Sequence, residues 1–248
     1  MSHGAITFDF HNTLFSCDAW FDLEVHEIMT AFLRWYAGEG GFRGTEADEQ
    51  RGRAAYRDLR ADIQRHGQEL DAASCVRSVL ATMALDIEDE HVERGVREIM
   101  ARLPVADPMV GAVETVETLH QAGVPMAIVS SAIYAPFLHR SLRAYGLGGY
   151  FAHVTTSAGC GFYKSRPEIF WDATMALGVD PWRTVHVGDS PRFDIAGARR
   201  AGLQTVWVSH GRPLDANGES PDLVLNDLDG AAGPLLDMVE RAPVGCPV

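Results

Sequence analysis

Thr184-Val185-His186-Val187-Gly188-Asp189-Ser190-Pro191-Arg192-Phe193-Asp194-Ile195-Ala196-Gly197-Ala198 is the run from which the architecture of this chain is read. A short, mainly apolar strand candidate over residues 184–187 ends in a glycine and two small polar residues. A helical pattern then covers residues 193–201 and stops at Gly202, and a second apolar run follows over 205–208. Strand, helix and strand in close succession form a βαβ unit, which belongs in a parallel sheet covered on both faces. Outward from this unit, further strand candidates lie at residues 5–10, 125–129, 150–155 and Leu223–Leu225, with a helix at Glu168–Leu177. The pattern is that of a doubly wound α/β sheet, a Rossmann-like core.

One interval breaks the alternation. Between the first strand and the second, residues 17–102 carry a helical pattern only. Phe21, Val25, Ile28, Phe32 and Trp35 fall at helical spacing, as do Val76, Val79, Leu80 and Met83. Glycine-bearing and polar stretches at 38–45 and 67–69 divide the interval into three or four helices. The expected organisation is a core built from residues 1–17 and 104–242, an inserted α-helical domain over 18–103, and a flexible tail over 243–248.

The bulk properties narrow the function. The chain has 248 residues, 46% of them hydrophobic, which is enough for a sizeable core. Its 21 basic against 34 acidic side chains give a net charge of −13, which disfavours nucleic acid and anionic membranes as general partners. Twenty of the basic residues are arginine, and Lys164 is the single lysine. Cys17, Cys75, Cys160 and Cys246 are scattered, with neither metal-binding nor disulfide spacing. No signal-peptide pattern opens the chain and no apolar run approaches bilayer length, so the expected location is cytoplasmic.

Ligands of open parallel sheets bind beyond the carboxyl ends of the strands. The polar residues there are Asp9, His11, Asn12 and Thr13 after the first strand, Ser130 and Ser131 after the second, and Gly188, Asp189 and Ser190 after the fourth. Asp194 follows five residues beyond Asp189, and Lys164 sits in the loop between the third and fourth strands. Taken singly, Ser130 is an ordinary turn residue and Lys164 an ordinary solvated lysine. Together they make a chemical set. Converging carboxylates repel unless a cation joins them, and oxygen ligands suit Mg²⁺. A carboxylate beside that cation, with a hydroxyl and an ammonium nearby, can attack a group bearing negative oxygens such as a phosphoryl.

In these residues the sequence resembles the haloacid dehalogenase-like hydrolases. The first motif of that family, D-x-D-x-T, is matched by Asp9-Phe10-His11-Asn12-Thr13 except at its second acid. Ala127-Ile128-Val129-Ser130 matches the second, and Lys164 with Pro167-Glu168-Ile169-Phe170 the third. Gly188-Asp189-Ser190 through Asp194, Gly197 and Ala198 matches the fourth in full. The helical interval falls where the family's type-1 cap domain lies.

The resemblance implies a Mg²⁺-dependent phosphatase of a small phosphorylated metabolite, acting as a monomer or homodimer. It implies Asp9 as nucleophile, with the metal held by Asp9, the His11 carbonyl, Asp189 and Asp194. Ser130 and backbone amides near Asn12 and Ser131 would hold phosphate oxygens, and Lys164 would neutralise charge. His11 stands where the family's phosphatases carry their acid/base carboxylate, and a histidine can do that work near neutral pH. The alternatives are a metal-free 2-haloacid dehalogenase acting through Asp9, or a catalytically weak phosphometabolite-binding module. The family's phosphonate-cleaving chemistry needs a lysine in the inserted domain, and none is present. Candidate substrate-selecting residues are Phe15, Trp20, Phe21, His26 and Arg34, with Arg166 a further candidate for phosphate.

Overall fold

A computed structural model describes residues 4–42, 44–213 and 219–241; the tail expected over 243–248, and Cys246 with it, lies outside the described residues. Six strands form one wholly parallel sheet. They are β1 (Ala5–Phe8), β4 (Met126–Ser130), β5 (His153–Thr156), β6 (Thr184–Gly188), β7 (Gln204–Val208) and β8 (Leu223–Leu225), in the order β5-β4-β1-β6-β7-β8. Every residue of β1, β4 and β6 is buried, as strands covered on both faces require. The two remaining strands, β2 (Phe15–Ser16) and β3 (Asp107–Pro108), pair antiparallel with Phe15 opposite Pro108. They join the two ends of the helical interval, a short ribbon invisible to periodicity because it is two residues long.

Two strands differ from their expected extents by more than one residue at an end, for local reasons. The first ends at Phe8 rather than residue 10, because Leu14 and Phe15 both donate their amides to the Phe10 carbonyl and curl the chain into a tight turn. The third begins at His153 rather than 150, since Tyr150 is drawn out of the sheet to stack on His120 with ring centroids 4.2 Å apart. The helix expected over 193–201 starts earlier, as a π-helical turn at Pro191–Ile195 that runs into Ala196–Arg200. Helix Glu168–Leu177 has the bounds expected of it and ends on Gly178 at φ 65°, the left-handed conformation that suits glycine at a helix end.

The helical interval contains four helical stretches. The first runs from Asp18 to Gly38 with a π-turn at Leu23–Glu27; the others are Glu46–His66, Ala72–Thr82 and Asp89–Ala101. Thr45 and Asp48 form a reciprocal capping box at the start of the second. Phe32, Trp35, Tyr56, Val76, Val79 and Val96 pack in a core of their own, which also takes in Ile133 and Tyr163 from the loops above the sheet. The aromatic stripe of the sequence is therefore mainly packing, and its contact with the sheet comes at those loops.

Candidate active site

Strands β1 and β6 are neighbours, and the chain leaves them toward opposite sides of the sheet, which opens a crevice at their carboxyl ends. Asp9 lies there, its amide donating to the Val187 carbonyl at 2.8 Å. Lys164 arrives from the loop after β5 and donates to Asp9 Oδ1 and, at 2.6 Å, to Asp194 Oδ1. All three side chains are buried. Thr13 Oγ1 donates to Asp9 Oδ2 at 3.2 Å. Asp9, Asp189 and Asp194 each bring a carboxylate oxygen within 4.8 Å of the others.

The fourth motif is explained by contact. A Cβ on Gly188 would lie 2.3 Å from Asp194 Cγ, and one on Gly197 would lie 2.4 Å from the Lys164 carbonyl oxygen. Both glycines let the acid and the lysine loop close onto the strand end. Ser190 caps the turn that follows, accepting from the Phe193 amide, while its own amide donates to Asp194 Oδ2 at 2.9 Å.

Charge is arranged unevenly. Burial, with Asp194 and Asp189 adding to it, pushes Asp9 up to about 7 against the pull of Lys164. Burial likewise raises Asp189 to about 6, with Arg212 opposing. Asp194 is the reverse case: burial would raise it, but Lys164 and the His186 ring hold it well below the usual carboxylate range. Lys164 itself is raised by Asp194 and Asp9 despite its burial, and so stays charged. Two acids lifted toward neutrality, Asp9 buried and Asp189 partly so, are a site that a divalent cation would relieve. The all-oxygen donor set fits Mg²⁺ chemically.

Three residues that no motif marks complete the arrangement. His186 is the register partner of Thr7 across β1 and β6, and Thr7 Oγ1 lies 2.9 Å from its Nδ1. Its Nε2 lies 3.2 Å from Asp194 Oδ1, so the neutral ring favoured by burial joins Thr7 to Asp194. Arg212 reaches both the Asp189 carbonyl, at 2.8 Å, and its Oδ2, at 3.1 Å. Trp207 Nε1 also donates to that carbonyl. The polar His186 in mid-strand was the one available signal; Arg212 lies beyond every motif.

The pocket above the acids has a volume of 150 Å³ and is lined by Asp9, His11, Ser130, Ser131, Lys164, Asp189, Ser190 and Asp194. The helical interval supplies Trp20, Phe21, Glu24, Val25, Arg60 and Gln64, and the loops add Tyr163 and Phe193. His11 stacks on Phe21 at 4.9 Å and meets the edge of Trp20 at 5.4 Å. Burial lowers its pKa, with Asp18 opposing, and its buried Nε2 has no hydrogen-bond partner among the described residues.

The remaining candidates fall elsewhere. Asn12 adopts φ 60° and is not among the lining residues; its amide donates to the Phe15 carbonyl at 2.7 Å. Phe15 is buried in the sheet core against Phe10. Arg34 pairs on the surface with Glu49, and Arg166 with Glu168. His26 packs edge-on to Phe21 outside the lining.

The family model of the haloacid dehalogenase-like hydrolases matches residues 3–202, and the chain belongs to that family. Among curated relatives, a phosphoserine phosphatase of Thermus thermophilus is 40% identical over 108 residues, 43% of this chain and 42% of that protein. A glyceraldehyde 3-phosphate phosphatase of Methanopyrus kandleri is 31% identical over 134 residues, 54% of this chain and 57% of that protein. The chain thus spans about half the length of these relatives. A 2-haloacid dehalogenase structure from Pseudomonas syringae aligns over 95% of this chain and 99% of its own, with 21% identity and a TM-score of 0.71. That likeness is one of fold. Among the described residues, no helix is long and apolar enough to cross a membrane.

Proposed function

We propose that this chain is a Mg²⁺-dependent phosphatase of a small phosphorylated metabolite, with Asp9 as its nucleophile. The observation that carries the reading is the cluster of Asp9, Lys164 and Asp194, all buried, with the half-buried Asp189, at the carboxyl ends of β1 and β6. The phosphatase activities for which the two curated relatives are named point the same way. In this reading the four helical stretches over 18–103 act as a cap on the core of 1–17 and 104–242. The small pocket volume of 150 Å³ favours a short ester as substrate.

Asp9 attacks phosphorus with one carboxylate oxygen, the ester P–O bond breaks, and water later hydrolyses the acyl phosphate and restores Asp9. Asp9, Asp189, Asp194 and the His11 carbonyl would hold Mg²⁺, which supplies Lewis-acid stabilisation of the phosphoryl charge when bound. Both oxygens of Asp194 already accept hydrogen bonds, so its chief work is to hold Lys164 and the Ser190 amide. Lys164 offsets charge on Asp9 and on the phosphoryl oxygens, and Ser130 and Ser131 offer hydroxyls to them. A phosphate-holding role for the Asn12 amide would require its bond to Phe15 to open. His11, which lines the pocket, handles the proton of the leaving oxygen or of the water.

The test is turnover of p-nitrophenyl phosphate and a phosphate-ester panel, with and without Mg²⁺. Metal-dependent phosphate release is expected. Silence across the panel sinks the reading, and metal-free halide release from a 2-haloacid would replace it with the dehalogenase. His11→Ala should lower kcat by roughly 10²–10⁴, and near-wild-type rates would remove His11 from the proton chemistry.

A further inference from the structure

His186 is the one titratable side chain within the four central strands β4, β1, β6 and β7, and it has no solvent exposure. Its neighbours in β6, Val185 and Val187, are buried as well, so packing alone would be served by another apolar residue. A buried imidazole loses its hydration and recovers that loss only through hydrogen bonds. Both ring nitrogens have one: Nδ1 lies 2.9 Å from Thr7 Oγ1 and Nε2 lies 3.2 Å from Asp194 Oδ1. Thr7 is the register partner in β1, so the two side chains stand on one face of the sheet. Gly188, two residues on, shares that face, and the Asp194 carboxyl is packed closely over it. Phe170, from helix Glu168–Leu177, meets the ring edge-on at 5.0 Å.

The direction of each bond follows from the acid. Burial would raise Asp194, but Lys164 and the His186 ring keep it ionised, so its Oδ1 can only accept. Nε2 therefore carries a proton and donates it. Burial keeps the ring neutral, which leaves a lone pair on Nδ1, and the Thr7 hydroxyl donates to that. Oδ1 of Asp194 also accepts from Lys164 at 2.6 Å, and Oδ2 from the Ser190 amide at 2.9 Å. Three donors from separate parts of the chain leave the carboxylate one orientation. A line of hydrogen bonds thus runs from Thr7 through His186 and Asp194 to the ammonium that also bonds Asp9.

We propose that His186 is a positioning residue: fixed by Thr7 with its proton on Nε2, it holds the Asp194 carboxylate so that Oδ1 keeps Lys164 against Asp9. His186 is not among the residues lining the pocket, and it acts through Asp194. The placement of Lys164 stands on the geometry, while its effect on rate rests on the phosphatase reading.

The test exploits the single lysine of the chain: protein labelled at lysine Cε shows one side-chain signal by NMR, which reports the surroundings of Lys164 Nζ. Thr7→Val/His186→Phe exchanges the polar pair for an apolar one of similar shape, so it should fold, but it takes a donor from Asp194. His186→Gln sets an amide N–H near the place of Nε2 and keeps the donor. The lysine signal should move in the apolar variant and stay near its wild-type position in the Gln variant. With p-nitrophenyl phosphate and Mg²⁺, the apolar variant should lose roughly 10- to 100-fold in kcat and the Gln variant no more than about fivefold. In a Lys164→Ala background the apolar exchange should cost less than about threefold, because the group it acts through is gone. Should the apolar variant not fold, His186→Asn, whose shorter amide falls short of Asp194, takes its place. An unmoved lysine signal or an unchanged kcat in the apolar variant overturns the proposal. So does an undiminished effect in the Lys164→Ala background, or a Gln variant as damaged as the apolar one. If the wild-type protein turns over no ester, the phosphatase reading fails, and the lysine signal alone decides the positioning.

Discussion

Two buried cations stand over the same pocket, one in the core and one in the helical interval, and they are held in opposite ways. Lys164 lies between two carboxylates from different elements, Asp9 and Asp194, and bonds both. Arg60 gives its planar fork to one carboxylate, Glu69, and leaves Glu24 nearby without a charge partner. The core arrangement shares one cation between two acids at the strand ends. The arrangement in the helical interval is closed electrically, one guanidinium against one carboxylate. A compact ammonium fits between two groups, whereas a guanidinium matches one carboxylate face to face.

The sharpest way to break the contrast is Asp9→Asn, which should reduce p-nitrophenyl phosphate turnover by a factor on the order of 10⁴ or more, as loss of a nucleophile does. Retained activity would move the chemistry away from the core cluster. Next is Lys164→Arg. If the compact ammonium is what matters, this variant should fail nearly as badly as Lys164→Ala, with kcat reduced by roughly 10²–10³. A half-active Lys164→Arg protein would mean that charge alone suffices there.

In the helical interval the expected damage is to stability. Glu69→Ala strands the buried Arg60 charge and should cost about 3–5 kcal/mol, a fall in Tm of roughly 10 °C by calorimetry. An unchanged Tm would make the pair an ornament of the surface rather than part of the core. The smallest effect is in pH dependence. The unfolded chain ionises Glu24 near 4.5, but the folded protein does so only near 8. The stability associated with the neutral carboxyl is therefore complete below 4.5 and is lost as pH rises through 8. The charged groups facing it, Arg60 and Glu69, are bonded to each other and so offset one another beside it. Glu24→Gln should accordingly show a flatter Tm profile between pH 5 and 8, with its advantage over wild type growing toward pH 8.

The core was legible because its chemistry is tied to strand ends. Asp9, Ser130 and Asp189 follow apolar runs directly, and a parallel sheet brings all such ends to one edge. Lys164 was legible as the single lysine ahead of a Pro-Glu helix start. Arg212 and His186 were not, since nothing local marks an arginine beyond β7 or a histidine inside β6 as a partner of the acids. Trp20 and Phe21, two of the substrate-selecting candidates, do line the pocket, whereas Arg34, a third, turns to Glu49 on the surface. Glu24 and Arg60 were missed because a charged residue on an amphipathic helix reads as solvated until the neighbouring helix is known.

The sequence by itself determined the parallel α/β sheet, the position of the helical insertion and the acid–lysine set at the strand ends. These follow from periodicity and from short-range order: strands alternate with helices, and polar residues at strand ends share an edge. Tertiary structure alone decided which charges are paired with which. That outcome depends on contacts such as Glu24 with Ile133, Arg60 with Glu69 and Arg212 with Asp189, between residues distant in the chain or on separate elements. Burial and the neighbouring charges, not residue type, then set which carboxyls carry charge.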